Sequence, residues 1–80
     1  MPRGLFNWTY SDVTEFLKEH GFEFLGQRKG SHEAWINTKT QAVVDINFHG
    51  ANVEFRPRTF ETMIRQSKIE KKVWRKWAGS

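Results

Sequence analysis

The chain has 80 residues, a net charge of +4, no cysteine, four Trp and seven Phe. That length fits one small domain, which buries roughly 60–65% of its unfolded surface and depends on its rings for a core. Without cysteine there is neither a disulfide framework nor a thiolate metal site, and no apolar run approaches the roughly 20 residues of a membrane helix.

In chain order, "MPRGLFNW" shows no long apolar core of a signal peptide, so a cytoplasmic protein is expected. "TYSDVTEFLKEHG" predicts the first helix. Thr9 or Ser11 caps it, with Asp12 placed for a capping box. Val13, Phe16, Leu17 and His20 share one face, and Gly21 stops it. "FEFLGQRK" predicts a strand interrupted by Gly26, a candidate bulge. "KGS" is the turn, with Gly30 suited to positive φ. "HEAWINT" is the second strand and "AVVDINFH" the third, with Ala42, Val44, Ile46 and Phe48 on one face and Val43, Asp45 and Asn47 on the other. A loop runs from Gly50 to Pro57. "RTFETMIRQSKI" predicts a helix capped by Thr59, with Phe60, Met63 and Ile64 on its stripe, and "EKKVWRKWA" a short further helix. The order is α-β-β-β-α plus one helix, an α+β fold in which helices cover one face of a three-stranded antiparallel sheet. Double-stranded-RNA-binding-like domains share this arrangement, and its second face is left to solvent or a partner.

The charge is uneven. Residues 51–80 hold eight Lys/Arg against three Asp/Glu, whereas residues 1–50 hold five against six. A basic C-terminal third suits a polyanion partner; a solvated basic face is the alternative. No HExxH, His/Cys cluster, P-loop or GxGxxG is present, so neither a metal nor a nucleotide cofactor is expected.

Of the three histidines, His20 lies on the apolar stripe of the first helix and reads as packing. His49 ends the third strand and reads as a strand-end residue that sits near the site if its strand neighbours the second. His32 opens the second strand directly after Arg28, Lys29, Gly30 and Ser31. Cleaving RNA needs a proton removed from the attacking hydroxyl and one delivered to the departing 5′-oxygen. Histidine, with an ordinary pKa of about 6.5, does either near neutrality. Cations beside it hold the phosphate and stabilise developing charge, and a glycine lets the RNA backbone approach. A simple hairpin turn carrying a histidine is the competing reading. Trp35 has two open readings as well: an exposed ring on the uncovered sheet face, contacting a base or partner, or a core residue after a one-residue shift of register.

The ordered set Gly21, Lys29-Gly30-Ser31-His32, His49, Thr59 and Ile64-Arg65-Gln66-Ser67-Lys68-Ile69 resembles the HicA family of small toxins from prokaryotic type II toxin–antitoxin modules. The resemblance runs from about residue 10 to 69, with a nine-residue N-terminal extension and an extra basic helix at about 70–78, all within one domain of residues 1–80. It implies a double-stranded-RNA-binding-like fold, a ribosome-independent mRNA endoribonuclease (an mRNA interferase), and a HicB-type antitoxin covering the active face. Carried onto this chain, His32 is the catalytic residue and Gly30 positions it. Arg28, Lys29, Gly30 and Ser31 become RNA-contacting candidates, and His49 a secondary one. After His49 the family's Lys-containing, glycine-bounded connection is replaced by "GANVEFRPRT", which makes Arg56 and Arg58 the candidates for the same phosphate contacts. One histidine acting alone implies a slow, metal-independent nuclease, and no reading pocket is evident in the sequence, so little base preference is expected. A non-catalytic RNA-binding module of the same fold, or a protein-interaction module, are the alternatives.

Overall fold

A computed structural model describes residues 4–79. Residues 1–3 of the N-terminal extension and Ser80 lie outside the described residues. The elements are α1 (Tyr10–Glu19), β1 (Phe22–Gln27), β2 (His32–Asn37), β3 (Val43–Asn47), α2 (Pro57–Ser67) and α3 (Lys71–Trp77). The order is the expected helix, three antiparallel strands and two helices, with the strands in spatial order β1-β2-β3.

Local chemistry sets the boundaries. Thr9 caps α1 through a complete capping box: its hydroxyl oxygen accepts from the Asp12 N–H, and the Asp12 carboxylate accepts from the Thr9 N–H. Thr59 does not cap α2. Arg56 stands at the N-cap without a side-chain hydrogen bond, and Pro57 takes the first helical position. Proline fits there because its missing N–H is one the first turn leaves unpaired.

The register of the sheet decides which side chains are buried. Trp35 pairs with Val44 and Glu33 with Ile46. Ala42, Val44 and Ile46 are buried against the helices, so Trp35, at 4% exposure, goes into the core with them. Of the two readings of Trp35, the buried one therefore holds, and its ring is not available to a base or partner. The bulge falls in β1, where Leu25 is skipped between the pairs Phe24–Trp35 and Gly26–Ala34. Glu33 also lands on the covered face. Its Oε1 accepts from the Tyr10 hydroxyl at 2.6 Å and from Trp35 Nε1 at 3.2 Å. Those two donors make a half-buried carboxylate tolerable there. The Tyr10 hydroxyl is pushed up to about 12 by burial first, then by its hydrogen bond to Glu33 and that group's charge.

The two ends of the chain close the far side of the core. Trp8 and Trp74, 1% and 0% exposed, pack together at 5.4 Å between ring centroids. Phe16 stacks on Trp74 at 3.9 Å, and Phe60 stacks on Trp8 at 5.0 Å. Trp8 Nε1 donates to the Gly4 carbonyl at 2.8 Å, whereas the buried Trp74 Nε1 has no acceptor among the described residues. At the outer edge of β3, Gln66 Oε1 accepts from the Asp45 N–H at 3.0 Å, so α2 occupies a ladder position that another strand would need.

Candidate functional site

Because Trp35 and Glu33 point to the helices, His32 points the other way, onto the uncovered face. The same strand alternation puts Asp45 and Asn47 of β3 beside it. His32 Nδ1 lies 4.0 Å from Asp45 Oδ1, with about half of each side chain exposed (52% and 47%). A pair this open to water adds little to stability. At that separation the carboxylate makes no hydrogen bond to the ring and acts on it through its charge.

The turn before His32 is held at several points. The Arg28 N–H donates to the His32 carbonyl at 2.7 Å, and Gln27 Nε2 donates to the Gly30 carbonyl at 3.3 Å. Gly30 takes φ +70°, where a side chain is strained. The Ser31 hydroxyl donates to Asn47 Oδ1, and the Phe48 N–H donates to the Ser31 carbonyl at 2.9 Å. The "KGSH" segment is thus fastened to the end of β3, while the Arg28 and Lys29 side chains are exposed beside it.

Asn47, the cross-strand partner of His32, is also a wall of a cleft of about 360 Å³. His49, Gly50, Val53, Glu54, Phe55, Arg56 and Thr59 complete the lining, so the cleft lies between the end of β3 and the start of α2. His49 and Arg56 therefore share one recess adjoining His32. Arg58 is exposed on the first turn of α2 and is not part of the lining. His20 is remote in role, its Nδ1 2.7 Å from the Phe16 carbonyl and its ring stacked on Phe16. Among the described residues no group of three His, Cys, Asp or Glu is placed to hold a metal ion, and no helix is long and apolar enough to cross a membrane.

Asp45, Asn47, Glu54 and Thr59 were not singled out as site residues from sequence. For the first two a signal existed: the alternation that buried Val44 and Ile46 already set them on the uncovered face. Glu54 carried no comparable signal, because it lies in an aperiodic loop.

The uncovered face thus brings together an outward histidine, a carboxylate at its rear nitrogen, a basic glycine turn and an adjacent polar cleft. Such a set suits proton transfer at a bound phosphate. Compared with known families, residues 10–69 match the model described as the HicA toxin of bacterial toxin–antitoxin systems. No curated protein and no solved structure matches the chain.

Proposed function

Because the chain belongs to the HicA toxin family of bacterial toxin–antitoxin systems, we propose that it is an mRNA endoribonuclease that uses His32 as its proton-transfer group. The observation that carries this reading is the exposed His32 beside Asp45 at the end of the basic "RKGS" turn.

RNA lies along the uncovered face with a phosphate between the turn and His32. Arg28 and Lys29 attract the phosphate and offset the charge that grows on its oxygens. His32 Nε2 takes the proton from the attacking 2′-hydroxyl, and Asp45 stabilises the resulting imidazolium across 4.0 Å. A proton is then returned to the departing 5′-oxygen from water or from His49. A single acid–base group contributes typically about 10²–10⁴-fold, so the enzyme is slow and needs no metal. It acts on mRNA in the cytoplasm without the ribosome. A HicB-type antitoxin silences it by covering the same face, where Ile36 and Val43 supply partly exposed apolar contacts.

The test is induction of the wild type and His32→Ala without antitoxin, following growth and mRNA integrity together. Arrest with mRNA loss in the wild type alone supports the reading. Arrest by both assigns toxicity to RNA binding without cleavage. If neither arrests growth and neither cleaves RNA in vitro, the nuclease assignment is wrong for this chain.

A further inference from the structure

We infer that the cleft between β3 and α2 is a pocket for one unpaired guanine base of the RNA. This rests on the nuclease reading for why RNA is present, but its argument comes from the cleft itself. The volume of about 360 Å³ is of the size that holds a small ligand. Val53 and Phe55 give it apolar walls, suited to the faces of a base, and His49 offers a ring for stacking. Gly50 suits this wall: at φ +129° an ordinary side chain is strained, and a Cβ there would stand 3.1 Å from Val53.

The polar groups choose the base. The side chains of His49, Glu54 and Arg56 have no hydrogen bond or ion pair among the described residues, although all three line the same recess. Asn47 is half-committed. Its Oδ1 accepts from the Ser31 hydroxyl, which fixes the amide so that Nδ2 remains as a donor. The cleft therefore offers a two-oxygen acceptor in Glu54, one donor in Asn47, and a cation in Arg56.

The Watson–Crick edge of guanine presents the complement: O6 accepts, while N1–H and N2–H donate side by side. Glu54 takes the two donors, Asn47 Nδ2 reaches O6, and Arg56 holds the adjoining phosphate. Adenine and cytosine each put an acceptor where the carboxylate needs a donor. Uracil has one donor between two acceptors. Such edges are free in single-stranded RNA, which is where sequence is read. Because Asn47 also pairs with His32 across the sheet, the base read is near the cleaved phosphate. The protein would then have the base preference that its sequence gave no reason to expect.

The test is binding of short 2′-O-methyl oligonucleotides, which a 2′-hydroxyl mechanism cannot cleave, to the full chain by fluorescence anisotropy. One strand is all uridine; others carry a single guanine, inosine or adenine at the centre. Guanine should bind roughly tenfold tighter than adenine or uridine, the scale of one good bidentate contact. Inosine, lacking the N2 amine, should fall between. Glu54→Gln should remove the preference, so that the guanine and all-uridine strands bind alike. Guanosine 5′-monophosphate should shift the amide resonances of residues 47–59 more than adenosine 5′-monophosphate does. Equal binding of all strands overturns the inference, as does a guanine preference unchanged in Glu54→Gln. A response to the free nucleotide with none to RNA assigns the cleft to a free guanine nucleotide and also overturns it. Cleavage of unmodified strands is scored separately. His32-dependent cleavage without guanine preference leaves the nuclease standing and removes the pocket. Guanine-dependent binding without cleavage does the reverse.

Discussion

Trp8→Phe should cost clearly more stability than Trp74→Phe, although both trim a buried indole in the same cluster. Each substitution keeps one aromatic ring and removes similar volume, so the packing loss is shared and largely cancels in the comparison. What differs is the N–H. At Trp8 it donates to the Gly4 carbonyl at 2.8 Å, and losing that bond costs about 0.5–1.5 kcal/mol net. At Trp74 the N–H is buried without an acceptor, so removing it recovers a penalty of about 1–3 kcal/mol. The gap between the variants is then about 2 kcal/mol or somewhat more. Total stability for this length is on the order of 4–12 kcal/mol, so the gap is large enough to measure. Urea unfolding followed by circular dichroism reads it directly, provided the denaturant slopes agree. In melting temperature it amounts to roughly 8–16 °C. Equal costs, or a more damaging Trp74→Phe, would refute the reasoning from the two indole nitrogens.

Three further outcomes follow from other parts of the molecule. Asp45→Asn should lower RNA cleavage about tenfold with an unchanged unfolding midpoint, since the exposed pair contributes only about 0–1 kcal/mol to folding while the carboxylate's charge favours a protonated His32 in the proposed reaction; single-turnover cleavage beside a urea melt checks both. Stability should drop between pH 10 and about 12, because the Tyr10 proton leaves the unfolded chain near 10 but the folded chain only near about 12. The contribution is fully present below pH 10 and lost as pH rises through 12, and Tyr10→Phe should flatten that part of the curve by removing the titrating group. Gly50→Ala should destabilise by about 1–3 kcal/mol, through strain at φ +129° and the close approach to Val53, as measured by thermal melts.

The elements were legible wherever local chemistry alone decides them. The Thr9–Asp12 capping box and the Val13, Phe16, Leu17 stripe belong to α1 in the structure as in the sequence. Gly26 signalled the β1 irregularity, though the skipped residue is Leu25. The orientation of β2 was not legible, because its covered face carries a glutamate. Only the Tyr10 and Trp35 donors, from distant and neighbouring positions, make Glu33 acceptable there. That one side chain obscured which way both Trp35 and His32 face. The cleft was hidden for a different reason. His49 and Arg56 were each visible as candidates, but the loop joining them has no periodicity to show that they converge. Trp8 was read as part of an extension, since nothing local marks a lone tryptophan as the partner of another so far along the chain.

The meeting of Trp8 with Trp74 also sets the order of events during synthesis. Trp8 emerges from the ribosome well before Trp74, the ring it packs against. Until Trp74 clears the exit tunnel, Phe16, Phe60 and Trp8 lack the side chain they share, and contacts between such distant segments form late because the intervening chain must first be closed into a loop. The "KGSH" turn and the end of β3 can pair earlier, but without the completed core they lack firm support. A growing chain therefore holds its uncovered sheet face over an unfinished core until α3 has been made.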